Sequence, residues 1–186
     1  MVSLAQLWLP ILASAVLVFF ASAIFHMVLK FWHRPDCSGF SNEDDVRVAI
    51  RAGSSGAGMY MLPYCKPEDM KKEETQRKFN EGPVGFVFLR PTGNMNMAAP
   101  LGQWFLFCLL VSLFAGYVAA STLAPGTTPA QVFRVVGTAA LLGHAFSALP
   151  TGIWWGHPWR SVIKHLVDGI VYALIVGASF AWLWPK

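Results

Sequence analysis

Residues 7–29 read LWLPILASAVLVFFASAIFHMVL, a run without lysine, arginine, aspartate or glutamate. In a helix that rises 1.5 Å per residue, about 20 such residues cross the hydrocarbon core of a bilayer. Residues 101–123 form a second charge-free run, residues 131–149 a third apolar run with Arg134 in its first turn, and residues 162–184 a fourth with Lys164 and Asp168 near its start. We therefore predict four transmembrane helices, which form an all-α membrane bundle.

The composition supports lipid as the main solvent of the chain. Hydrophobic residues make up 55% and charged residues 13% of the sequence, whereas a soluble protein has about a quarter charged residues. Ten of the fourteen lysines and arginines and nine of the ten acids lie between residues 30 and 90. The net charge of +4 is therefore a signal of topology and does not predict nucleic-acid binding.

This charge distribution divides the chain into three parts. Residues 1–30 hold the first transmembrane helix, residues 31–100 form a water-facing insert, and residues 101–186 hold the other three helices. Basic residues near the helix ends predict that the insert is cytoplasmic and that both termini lie outside. One side has Lys30, Arg34, Arg90, Arg160 and Lys164, and the other has only Arg134 and Lys186.

The insert is predicted to be a small α/β-like layer. Its patterns favour a short helix from about Ser41 to Gly53, a second from Pro67 to Phe79, and a two-stranded ribbon from residues 59–62 and 84–89. The stretch RAGSSGAG at residues 51–58 resembles a phosphate-binding loop, but Met59 stands where such a loop needs lysine. We therefore expect no nucleotide.

Small residues at a spacing of four predict where the helices pack, because they allow close backbone approach in lipid. Some of these positions could face a partner subunit instead. They are Ser112, Gly116 and Ala120; Ala139, Gly143 and Ser147; and Gly169, Ala173, Gly177 and Ala181.

Polar residues from three helices are predicted to share one level near the cytoplasmic face. They are His26, Lys30, His144, His165, Asp168 and Tyr172. A carboxylate in lipid costs several kcal/mol unless it is paired. We expect Asp168 to face the bundle interior, where it is either protonated or bonded to His26, His144, Lys30 or Lys164. This cluster is either a structural lock that fixes helix register or a quinone, proton or haem b site.

The sequence favours no metal ion. A soft Cu(I) set would use Cys37, Cys65, Met59 and Met61, extended by His33, Met95 and Met97. However, methionine is a general apolar filler, and these spacings match no closed metal site.

Several motifs resemble those of a family of small four-span bacterial membrane proteins that has no assigned activity. They are Ile153-Trp154 through Trp159, Asp168-Gly169-Ile170-Val171-Tyr172-Ala173-Leu174, Trp182-Leu183-Trp184-Pro185 and Gly82-Pro83-Val84-Gly85-Phe86. The resemblance covers about half the chain. It implies four spans in a bacterial inner membrane and assigns no functional residue.

The sequence has no hydrolase or zinc-enzyme motif, so it favours a non-catalytic protein. We expect an accessory or assembly subunit that contacts lipid and other subunits of a larger respiratory or photosynthetic complex. The alternative is a small redox protein that binds quinone or haem through the histidine and aspartate cluster.

Overall fold

The computed structural model describes residues 2–54, 56–94 and 96–186. Within them, four helices are long and apolar enough to cross a membrane, as the sequence predicts. Span 1 is Leu4–Val28, span 2 is Ala98–Thr122, span 3 is Pro129–Trp155 and span 4 is Trp159–Leu183. The chain divides into a bundle unit, Met1–Cys37, Asn96–Gly152 and His157–Lys186, and an insert unit, Ser38–Met95 and Ile153–Gly156.

Two spans depart from regular α-helix. Span 1 is α-helical over Trp8–Ala23 and then forms a π-helical turn at Ile24–Val28. Span 3 is α-helical over Pro129–His144, tightens into a 3₁₀ turn at Phe146–Ala148 and resumes as Leu149–Trp155. Span 3 therefore extends beyond residue 149, at which the sequence analysis predicted its end. Pro150 is accommodated because it lies in the first turn of this last segment, where its missing N–H is not needed.

The insert contains the predicted two-stranded ribbon. Strand β1, Gly58–Leu62, pairs antiparallel with strand β2, Gly85–Leu89, with Tyr60 opposite Val87. The two insert helices are Glu43–Gly53 and Glu73–Glu81. The second begins later than predicted, because Pro67 opens a separate 3₁₀ turn, Pro67–Asp69. In the bundle unit, short helical turns Lys30–His33 and Arg34–Asp36 follow span 1.

Close backbone contact joins spans 3 and 4. A Cβ atom on Gly177 would lie 3.2 Å from the Cα atom of Gly137, and one on Gly169 would lie 2.5 Å from the Cα atom of Ala145. Spans 1 and 2 are joined by a buried hydrogen bond of 2.9 Å from Ser14 Oγ to Ser112 Oγ. The bundle is therefore held by small residues and short polar contacts.

The predicted packing positions differ in burial. Those of spans 2 and 4 are buried, except for the half-buried Ala181. In span 3, Ala139 and Gly143 are half-buried and Ser147 is exposed. The buried positions of span 3 are instead Val132, Val136, Ala140, His144 and Ala145. The small-residue rule missed this face because it is lined by valines.

Replacing Gly169 by alanine should destabilise the bundle. The added methyl would meet the backbone of Ala145, which cannot rotate away, so we expect a loss of about 1–3 kcal/mol from overpacking. The measurement is reversible unfolding in mixed micelles.

Gly102→Ala is the matched control, because Gly102 is exposed in span 2 and its Cβ would meet nothing within 4 Å. Equal stability of the two variants would contradict the close contact between spans 3 and 4.

Candidate functional site

The carboxylate of Asp168 is the centre of the polar site. Asp168 lies in span 4 and is 2% exposed. Its Oδ1 accepts a hydrogen bond of 2.7 Å from Trp32 Nε1, and its Oδ2 accepts one of 2.6 Å from His33 Nε2. Both donors come from the short turn that follows span 1. The structure therefore satisfies Asp168 through residues other than the four predicted partners.

A second carboxylate, that of Asp36, bonds to the same turn. His33 Nδ1 lies 3.2 Å from Asp36 Oδ2. The ammonium group of Lys164 donates to the Asp36 carboxylate and to the carbonyl oxygen of Trp32. Lys164 and Asp36 have side chains only 8% and 10% exposed. The hydrogen bond from Lys164 lowers the pKa of Asp36, which favours the carboxylate form of this residue.

Three imidazole rings stack beside Asp168. The ring centroids of His26 and His33 lie 4.3 Å apart, and those of His33 and His165 lie 4.9 Å apart. His26 Nδ1 lies 3.0 Å from the carbonyl oxygen of Ser22 and donates to it. His26 and His165 are exposed, whereas His33 is half-buried.

The end of span 1 explains how these rings meet. His26 lies in the π-helical turn, and Leu29 then leaves helical geometry with φ −81° and ψ 66°. The chain resumes as the helical turn Lys30–His33 and then forms a 3₁₀ turn at Arg34–Asp36, which contains Pro35. π-Helical turns are rare, and those that occur are often found at functional sites. This one carries His26 of the cluster.

These four side chains have the donor set of a metal site. One ligand atom from each of His26, His33, His165 and Asp168 can be chosen so that all lie within 4.8 Å of one another. The same geometry disfavours haem, because stacked rings in contact leave no space for a porphyrin between two axial histidines.

A separate pair of polar groups is buried deeper in the bundle. His144 is 8% exposed and Tyr172 is 3% exposed, and their ring centroids lie 5.7 Å apart. Among the described residues, both ring nitrogens of His144 and the hydroxyl of Tyr172 have no hydrogen-bond partner. Trp104 and Phe107 pack their rings against His144. This buried pair has unused hydrogen-bonding capacity.

The structure thus divides the six predicted polar residues. It brings together His26, His165 and Asp168, places His144 and Tyr172 in the separate buried pair, and leaves Lys30 exposed. Sequence reasoning did not place His33, Trp32 and Asp36 at this site. One signal was present, because His33 follows His26 by seven residues and so falls on the same face of a continuing helix.

The soft copper set gains no geometric support from the described residues. Cys37 is exposed, and Met59 and Met61 are exposed on strand β1. Cys65 Sγ lies 3.6 Å from Met70 Sδ, a residue outside the predicted set. Met95 lies outside the described residues.

Comparison of the chain with protein-family models, with curated proteins and with solved structures found no match.

Proposed function

We propose that this chain is a non-catalytic accessory or assembly subunit of a larger complex in a bacterial inner membrane, of respiratory or photosynthetic type. The observation that carries the proposal is the insert, whose described residues 38–54 and 56–94 include no buried side chain. Large apolar side chains are instead exposed there. They include Phe40, Val48, Met59, Met61, Leu62, Tyr64, Met70, Val84 and Phe88.

An insert of this kind needs a surface to pack on. An isolated two-stranded ribbon is marginally stable at best in water, and a small unit without a core cannot offset the entropy of ordering its chain. Exposed apolar patches rimmed by charge are typical of interaction sites. A partner that covers β1 and β2 would supply the missing core.

The charge of the insert favours a protein partner over an anionic lipid surface. Residues 38–95 carry eight lysines and arginines and eight acids. Juxtamembrane segments that bind acidic lipid depend instead on an excess of basic residues. Because the insert has no net charge, an anionic membrane surface contributes little binding free energy. Apolar contact with another subunit contributes more.

The proposed orientation places the insert in the cytoplasm and both termini outside. Its support is the excess of lysine and arginine at the span ends that flank the insert and the connection between spans 3 and 4.

Thiol labelling tests this orientation. In a Cys65→Ser/Cys108→Ser background, the exposed Cys37 should resist a membrane-impermeant maleimide in intact cells and react after the membrane is permeabilised. A Lys186→Cys variant that also carries Cys37→Ser is the control and should react in intact cells. Reaction of Cys37 in intact cells, with Lys186→Cys protected until the membrane is permeabilised, would reverse the proposed topology.

Partner binding is tested by gentle detergent extraction from the native membrane, followed by native electrophoresis and mass spectrometry. We expect the chain to migrate with larger subunits in fixed stoichiometry. The variant Met59→Ser/Phe88→Ser removes an exposed cross-strand pair of the ribbon. It should bind the partner about thirtyfold more weakly, because an apolar anchor at an interface contributes roughly 2 kcal/mol.

Lys71→Ser, at an exposed polar position of the same insert, is the matched control and should keep the partner. A wild-type chain that migrates alone would contradict the accessory role.

A second candidate function is redox chemistry with a bound quinone. The unpartnered His144 and Tyr172 favour it, since a quinone carbonyl accepts the hydrogen bonds that these groups can donate. Lipid extraction and an absorption spectrum of the same purified sample separate the two candidates. A stoichiometric quinone with no partner subunit would favour the redox protein.

A further inference from the structure

We propose that His26, His33, His165 and Asp168 bind a divalent transition metal ion of the zinc type. This site is independent of the accessory role. The four ligand atoms already lie within 4.8 Å of one another. Ligand atoms around a tetrahedral zinc ion are about 3.3 Å apart, given metal–nitrogen distances of about 2.0–2.1 Å. Metal binding would therefore bring the most widely separated ligand atoms about 1.5 Å closer together.

The hydrogen bonds around the histidines match those of metal-bound imidazoles. Such an imidazole binds the metal through one nitrogen and donates its other N–H to a carbonyl or carboxylate. His26 Nδ1 meets the carbonyl of Ser22 at 3.0 Å, and His33 Nδ1 meets the carboxylate of Asp36 at 3.2 Å. Both contacts leave Nε2 as the metal ligand.

Asp36 is itself fixed, because Lys164 binds its other carboxylate oxygen. This arrangement gives His33 a rigid outer-shell partner of the kind that orients metal ligands in proteins. The cation would take the place of the proton that His33 Nε2 shares with Asp168 Oδ2. That N–H bond breaks as the nitrogen–metal bond forms, its proton leaves to solvent, and the proton on Nδ1 remains hydrogen-bonded to Asp36.

The donor set selects the class of metal. Three imidazole nitrogens and one carboxylate oxygen suit Zn²⁺ and related divalent ions. The set has no thiolate or thioether for Cu(I), and it has too few oxygen atoms for Ca²⁺ or Mg²⁺. A divalent cation would also stabilise the Asp168 carboxylate, which is 2% exposed within an apolar span.

The site has an open side. His26 and His165 are exposed, whereas Asp168 is buried beneath them. An ion can therefore approach the site from the side of His26 and His165.

His165 separates a metal site from a purely structural lock. Its ring stacks on His33, but among the described residues it makes no hydrogen bond. The contacts from Trp32 and His33 satisfy Asp168 without it. A lock would therefore tolerate its loss, whereas a four-ligand metal site would not.

The test measures zinc binding by equilibrium dialysis of the full-length chain in detergent, purified with a tag that contains no histidine. His165→Ala and His26→Ala are the variants. His157→Ala is the matched control, because His157 is exposed and lies outside the cluster. The unfolding temperature without metal is measured for each protein, to show that the variants fold.

We expect wild type and His157→Ala to hold a single zinc ion per chain and to unfold at a higher temperature when zinc is present. His165→Ala and His26→Ala should bind zinc about tenfold more weakly or worse, with metal-free unfolding temperatures near wild type. Absence of zinc binding by wild type, or equal zinc affinity of His165→Ala and His157→Ala, would overturn the proposal. If His165→Ala does not fold, His165→Gln replaces it and is judged by the same comparison.

Discussion

A carboxylate inside an apolar helix bundle must be bonded, because an unpaired charge there costs several kcal/mol. Asp168 meets this requirement through two donors, Trp32 and His33, that lie in one short turn after span 1. The turn is thereby bound to span 4. The rest of the polar site depends on this attachment, because His33 brings Asp36 with it and Asp36 in turn pairs with Lys164.

The small-residue packing contact and the polar site lie in the same stretch of span 4. Gly169 follows Asp168 directly and allows the backbone at Ala145 to approach closely. This contact also brings the ring of His144 beside the ring of Tyr172. Helix association in lipid relies on such close approach, since apolar burial contributes little there. A change at Gly169 would therefore disturb both the packing of spans 3 and 4 and the buried pair.

Much of the architecture is predictable because the length of an apolar run shows directly whether a helix can cross the membrane. The four long apolar runs predict the four spans, and the extended stretches at residues 59–62 and 84–89 predict the ribbon. The site is less predictable, because its geometry depends on a local break in helical order. The π-helical turn at Ile24–Val28 and the bend at Leu29 have no signature in the sequence, so the contact of Trp32 with Asp168 was not predicted. Conversely, helical counting places His144 and Tyr172 at the level of the cluster, yet the two form a separate buried pair.

The most direct test of the central attachment is a double-mutant cycle of unfolding free energies for Trp32→Phe and Asp168→Ala in mixed micelles. A hydrogen bond to a carboxylate contributes about 1.5–3 kcal/mol, so the two changes should be non-additive, with a coupling energy of roughly 1–3 kcal/mol. Trp182→Phe, at a tryptophan that is 84% exposed, should show no coupling to Asp168→Ala. Additive effects of Trp32→Phe and Asp168→Ala would show that Asp168 does not hold the turn after span 1, and would contradict this account of the site.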